Sequence, residues 1–262
     1  MHITLITIFP ELFENFIASS LVGKAVEKWI LSFTLVNPRD FCEDKNKKVD
    51  DEIYGGGVGL LMKAEPVIAS IKQTFHLKRS PSLNREEKID YHFPPDKTEG
   101  MESFLKHEAE PRGFVSQKNK TKIILVWPSK TTFNQQISHD LSEYAHLIFI
   151  CGRYEGIDHR VKLRCQNEFG ENFCEISLGQ FVTLWGEVPA MTMIEAITRL
   201  VPGVIKEELS RQDESYRPEQ WMQNIEYPQY TRPEVVEGMS VPDVLLSGHH
   251  KNIEKWKKEH TS

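Results

Sequence analysis

Four stretches of the chain carry residue types whose spacing suits chemistry. In LIFICGRYEGID (147–158) four apolar residues run into Cys151 and then into Gly152 and Gly156, which flank an arginine, Tyr154 and Glu155. A buried strand that ends in a glycine-flanked turn brings backbone N–H groups and short side chains to the edge of a sheet, where α/β proteins bind ligands. The helical HRVKLRCQNEF follows, so an ordinary strand-to-helix turn is the alternative. DDEIYGGGVGL (50–60) packs four glycines into five positions after Asp50 and Tyr54. It completes neither G-x-x-x-x-G-K-[ST] nor G-x-G-x-x-G. What remains is a flexible turn, or bare backbone at Gly55, Gly56 and Gly57 that lets a flat base or a phosphate approach while Tyr54 stacks on it. In SLGQFVTLWGEVPAMTMIE (177–195), Gly179, Gly186 and Pro189 interrupt apolar residues able to hold something flat; a bent sheet edge reads the same. LSRQDESYRP (209–218) sets Asp213 and Glu214 side by side, a pairing that on exposed segments usually serves solubility. Arg199, in ITRLVPG, stands among core-facing residues, where an arginine usually has a planar anionic partner.

Apolar runs rich in β-branched residues alternate with longer helical patterns, which predicts a mainly parallel α/β sheet. Strands are expected near 3–9, 30–37, 122–127, 145–151 and 176–184, with helices between them. The first helix follows Pro10 and offers Leu12, Phe13, Phe16, Ile17 and Leu21 at helical spacing. PAMTMIEAITRL offers Met191, Ile194, Ile197 and Leu200, with proline at its start. Residues 76–120 break the rhythm with prolines, charges and scattered aromatics, and read as a surface insertion, partly disordered. The alternation stops near Lys206. The expected division is an α/β domain over 1–205, a linker over 206–215 and a small helical domain over 216–262.

The 262 residues, 39% hydrophobic, suit one large domain with a smaller appendage. The apolar run ITLITIF is too short for a membrane span and lacks a basic leader, so it reads as a buried strand. A net charge of -6 argues against gripping nucleic acid by bulk electrostatics alone, although lysines cluster at 45–48 and around Trp256. Cys42, Cys151, Cys165 and Cys174 lack C-x-x-C spacing and are expected as free thiols in a reducing cytosol. His249 and His250 are adjacent rather than ligand-spaced, and no metal is expected.

Taken in order, FPELF, PRDF, VDD..YGGG.G, CGRYEGID.RV, E.PAM, PGV, YTRPEV.EGM.VP.VLLSG and I..W resemble the bacterial tRNA (guanine-N(1))-methyltransferase family, TrmD. The resemblance covers both ends and most of the chain outside 76–120. It implies a SPOUT-type fold: a parallel α/β domain whose C-terminal part forms a deep trefoil knot, then a small helical domain. It further implies a cytoplasmic homodimer that builds each site from both chains, binds S-adenosylmethionine in the knot loops and methylates the guanosine immediately 3′ of a tRNA anticodon. Carried over by motif, the cofactor would touch Pro128, Gly152, Tyr154, Glu155 and Gly156, the run Leu178, Gly179, Gln180, Phe181, Val182 and Thr183, and Gly186. Asp50, Tyr54 and Gly55 to Gly57 would grip RNA with the C-terminal domain. Methylation at N1 needs a general base for the ring proton and a cation for the charge that spreads to the neighbouring carbonyl oxygen. The resemblance assigns the cation to Arg199 and the base to Glu214, where the family has aspartate, with Asp213 one residue earlier. The family's LSPQG reads VWPSK (126–130) and its IGDYVLSGGE reads LGQFVTLWGE (178–187), so Trp185 replaces a glycine, and its indole is expected to narrow the pocket. The family usually continues past the position of Ser262. The alternative function is a catalytically impaired homologue that binds tRNA or another partner without methyl transfer.

Overall fold

The structure, a computed structural model, describes residues 1–76, 121–205, 215–216 and 225–261. The chain divides into two compact units, residues 1–205 and 206–262. In the first, five parallel strands form one sheet: β1 (His2–Ile6), β2 (Ser32–Val36), β5 (Thr121–Val126), β6 (His146–Cys151) and β7 (Phe173–Ile176), in the order β2-β1-β6-β5-β7. Pairing is in register, with His2 opposite both Ser32 and His146, and Ile123 opposite Phe173.

The sheet is buried on both faces, as parallel sheets require. Side chains alternate along β6: Leu147, Phe149 and Cys151 point to one core and Ile148 and Ile150 to the other. The first core is covered by α1 (Glu11–Ala18), α2 (Ser20–Glu27) and α6 (Glu187–Thr198), through Phe13, Ile17, Val22, Ile194 and Ile197. The second is covered by α3 (Ala64–His76) and α5 (His159–Phe169), through Val67, Ile71, Val161 and Cys165. Full burial of a side chain such as Ile194 or Val67 contributes about 1.5–3 kcal/mol. Between β5 and β6 lies α4 (Gln135–Ser142), capped by Asn134, whose side chain accepts from the Ile137 N–H at 2.9 Å.

Four of the five expected strands appear near their predicted positions. The fifth does not. The expected strand at 176–184 is replaced by β7 at Phe173–Ile176, and residues 177–186 are loop, with Phe181, Val182 and Leu184 exposed. An apolar run reads as a strand whether or not anything buries it. The first helix is also shorter than its pattern: Ser19 is extended and Ser20 has a φ of 54°, so Leu21 falls on α2, where it is exposed. Two short strands were not predicted, β3 (Asp50–Glu52) and β4 (Leu60–Met62), which pair antiparallel around the glycine-rich loop. Apart from His76, which ends α3, the expected insertion 76–120 lies outside the described residues.

The described part of the second unit holds a two-strand hairpin, β8 (Val235–Val236) with β9 (Met239–Ser240), and helices α7 (Asp243–Leu246) and α8 (His250–His260). There Trp256 packs among Tyr227, Tyr230 and His260. Among the described residues no helix is long and apolar enough to cross a membrane.

Candidate functional site

Parallel strands deliver their C-terminal ends to one edge, so the segments after β5, β6 and β7 are neighbours there. Backbone hydrogen bonds tie them together. Phe133 N–H donates to the Ser177 carbonyl at 2.8 Å and Ser177 N–H to Thr131 at 2.9 Å, joining the β5 and β7 loops. Gly186 N–H donates to the Gly152 carbonyl at 3.0 Å, joining the β7 loop to the turn after β6. The resulting cleft has a volume of about 160 Å³. Ten of the twelve residues assigned to the methyl donor line it: Pro128, Gly152, Tyr154, Glu155, Gly156, Leu178, Phe181, Val182, Thr183 and Gly186. Gly179 and Gln180 line an adjoining, open depression of about 1050 Å³. The cleft is smaller than the ~300–1,000 Å³ of most small-molecule sites.

Two tryptophans stand in its wall. The Trp127 ring covers Gly156, which has a φ of 131°, so closely that a Cβ at 156 would overlap it. Trp185 stacks on Arg153, with the guanidinium carbon 4.4 Å from the ring centre. Arg153 is buried, and Phe9 covers it at 4.1 Å. Its Nε lies 3.1 Å from Oε1 and 2.9 Å from Oε2 of Glu187, the first residue of α6, which is fully buried. Thr7 donates its hydroxyl to the same carboxylate at 2.7 Å. This cluster joins the end of β1, the β6 turn, the β7 loop and the start of α6. The sequence reading missed Arg153 and Glu187. The rule applied to Arg199, that an arginine among apolar residues has an anionic partner, would have found Arg153 equally well.

The β3–β4 hairpin docks on the same turn. Glu155 N–H donates to Leu60 at 3.0 Å, Met62 N–H to Gly156 at 2.9 Å and Asp158 N–H to Met62 at 2.9 Å. At its tip Gly55, Gly56 and Gly57 have φ of 88°, 81° and 152°, a backbone that L side chains rarely adopt, and Tyr54 is 97% exposed. Asp50 lies at the base of the hairpin. The Tyr154 hydroxyl is pushed up in pKa by burial first and then by the Asp50 carboxylate, with Arg39 opposing. The turn after β6 and the β3–β4 hairpin are thus in side-chain as well as backbone contact.

Arg199 is not brought to this cleft. It follows the last turn of α6, ~18 Å along the helix axis from the Gly186 end. Asp213 and Glu214, the candidate bases, lie outside the described residues. Among the described residues no cluster of His, Cys, Asp or Glu is arranged to hold a metal ion.

The family profile of tRNA (guanine-1)-methyltransferase TrmD matches residues 1–86 and 100–262. A tRNA (guanine-N(1)-)-methyltransferase of Clostridium botulinum (strain Kyoto / Type A2) is 41% identical over 258 residues, 98% of this chain and 85% of the relative. One from Clostridium perfringens (strain ATCC 13124) is 40% identical over 99% of this chain and 87% of the relative. One from Carboxydothermus hydrogenoformans is 38% identical over 99% and 82%. With a profile that spans nearly all of it and relatives at this identity, the chain belongs to the tRNA (guanine-1)-methyltransferase TrmD family.

Proposed function

We propose that the chain is a tRNA (guanine-N(1))-methyltransferase that carries the methyl group of S-adenosylmethionine to N1 of the guanosine immediately 3′ of the anticodon. The single observation that carries this reading is the convergence of the segments 127–133, 152–158 and 177–186 into one cleft, with the β3–β4 hairpin docked on the middle one. The residues suit a nucleoside: Trp127, Phe181 and Trp185 offer flat faces for a base, while Gly156 and Gly186 let the walls themselves close up, against the Trp127 ring and the Gly152 backbone. When bound, the cofactor supplies an electrophilic methyl group. Glu214, or Asp213 beside it, takes the N1 proton, and Arg199 stabilises the negative charge on the neighbouring carbonyl oxygen more in the transition state than before it. Asp50, Tyr54 and the glycine tip hold RNA, together with a helical domain over 216–262 reached through a linker over 206–215.

The enzyme works as a homodimer in the cytoplasm. Support for two chains comes from Arg199, a helix length from the cleft of its own chain, and from Phe181, Val182, Leu184 and Val188, apolar and exposed beside the cleft. The knot of the SPOUT fold is part of the same reading, supported by the β7 loop being pinned at Ser177 and again at Gly186. The relatives lend nothing to the alternative of a homologue that binds tRNA without methyl transfer.

The test is incubation of the full chain with S-adenosylmethionine and an unmodified tRNA transcript, followed by primer extension. A methyl on the Watson–Crick edge stops reverse transcription, so a new stop at the guanosine 3′ of the anticodon is expected. Binding of tRNA with no stop anywhere would favour the impaired homologue, and a stop elsewhere would reassign the target base.

A further inference from the structure

We infer that Trp185 is a gate on the cleft, held shut by its stack on Arg153, so that opening of the 178–185 strap limits entry of the methyl donor. The inference rests on the reading of the cleft as the donor site.

The strap is pinned at both ends and loose between them. Ser177 is fixed by its two backbone hydrogen bonds to the β5 loop, and Gly186 by its close backbone approach to Gly152. In the middle Phe181 is 58%, Val182 83% and Leu184 86% exposed. A segment with so few buried contacts opens at low cost. Beyond Leu178, which packs on the first core, the strap is tied inward by the Trp185 ring on the Arg153 guanidinium at 4.4 Å. Arg153 itself does not depend on that contact, since Phe9 at 4.1 Å and the Glu187 carboxylate hold it from other directions. The clamp therefore has a rigid half and a movable half, and the movable half is an indole that lines a cleft of about 160 Å³, below the ~300–1,000 Å³ of most small-molecule sites. A donor seated in the cleft itself, rather than in the adjoining open depression, moves a wall. The turn 152–158 is locked by three hydrogen bonds to the β3–β4 hairpin, and Trp127 is lodged over Gly156. The strap is the wall that yields, and each entry breaks the stack on Arg153.

Stopped-flow mixing of the full chain with S-adenosylmethionine, followed by tryptophan fluorescence, tests this, because Trp127 lines the same cleft and stays in every variant. In the wild type the observed binding rate is expected to level off as ligand rises, at the opening rate of the strap. Trp185→Ala is expected to bind with a rate that climbs linearly over the same range and with a Kd roughly 2- to 30-fold lower, the equivalent of one cation–π contact no longer broken. Trp185→Phe, which keeps a ring for the guanidinium, is expected to keep the plateau, an outcome that a merely structural role would not produce. A linear rate in the wild type, or an unchanged plateau in Trp185→Ala, overturns the gate and leaves the donor assignment standing. No binding to any variant, with circular dichroism showing each folded, overturns the donor assignment and the gate together.

Discussion

Gly186 donates its backbone N–H to the carbonyl of Gly152 at 3.0 Å, and a Cβ added to Gly186 would stand 2.7 Å from the Gly152 nitrogen. Two segments 34 residues apart in sequence thus meet backbone to backbone, and the meeting leaves no space for a methyl group. Gly186→Ala is expected to push them apart, costing about 1–3 kcal/mol, the usual range for overpacking. Because the same contact closes one end of the cleft, donor affinity should fall with it. Gly56→Ala meets nothing within 4 Å and carries only the strain of its φ of 81°, so it should spare the donor site. Urea midpoints and calorimetry on the two variants check this; a wild-type midpoint for Gly186→Ala would deny the close approach.

The pair Arg153–Glu187 predicts non-additivity. Both side chains are buried, so removing one leaves an uncompensated charge away from water, which typically costs about 3–5 kcal/mol. Arg153→Met and Glu187→Leu are each expected in that range, and the double variant at well under their sum. A double-mutant cycle by chemical denaturation measures the coupling. Costs that simply add would mean that the two residues do not share one interaction.

Much of this frame was legible in the sequence, and what escaped did so for identifiable reasons. The strands β1, β2, β5 and β6 announce themselves as β-branched apolar runs, because both faces of a parallel sheet are buried. The run LGQFVTLW has the same composition without the burial, which is why β7 was placed several residues too late. The strand β3 is Asp-Asp-Glu, a sequence with no strand signal, and it forms because Asp50 pairs with Met62 across a glycine tip that turns the chain back. The motifs offered one by one the residues that the fold brings to the cleft wall. That Arg153 meets Phe9, Trp185 and Glu187 depends on strand order, and periodicity carries no information about strand order.

The cysteines should be slow to react while the chain is folded. Burial raises the Cys165 thiol to about 12 and Cys174 to about 11, and drives Cys151, wholly enclosed at the end of β6, well above its ordinary value. The thiolate is the nucleophile, so at pH 8 these groups are almost entirely in the unreactive form. Alkylation followed by mass spectrometry is expected to leave Cys151 and Cys165 unmodified in the native chain and to modify them on unfolding in urea. Rapid native labelling of Cys151 would contradict the burial of β6.

Asp158 makes a contribution to stability that depends on pH. It caps α5, accepting from the Arg160 N–H at 2.8 Å, and its carboxyl is held below the usual range, chiefly by the Arg160 side chain. A folded pKa below the unfolded value gives stability that is present above the unfolded pKa of about 3.9 and is lost as pH falls through the folded one. Asp158→Asn keeps the cap and removes the charge. Arg160 is largely exposed, so solvent screening limits the effect to about 0.5–1 kcal/mol. The gap between wild type and variant should be constant above about pH 5 and shrink below about pH 4; a gap that widens with acid would reverse the assignment.

The last prediction separates two adjacent carboxylates. By the resemblance, Glu214 would stand in the place of the family's base, one methylene longer than an aspartate, and Asp213 precedes it. A positioned general base is worth about 10²–10⁴ in rate, and an amide of the same shape retains hydrogen bonding while losing proton affinity. If Glu214 takes the N1 proton, Glu214→Gln should lose transfer by that factor with donor affinity unchanged, and Asp213→Asn should lose little. The pH profile adds a second readout: a rate limited by deprotonation rises with the ionisation of the base, and that limb should vanish in the variant that removes it. The reverse pattern would transfer the role to Asp213. Equal and mild losses at both positions would mean that neither carboxylate takes the proton, because no variant that has lost its base can keep transfer near the wild-type rate.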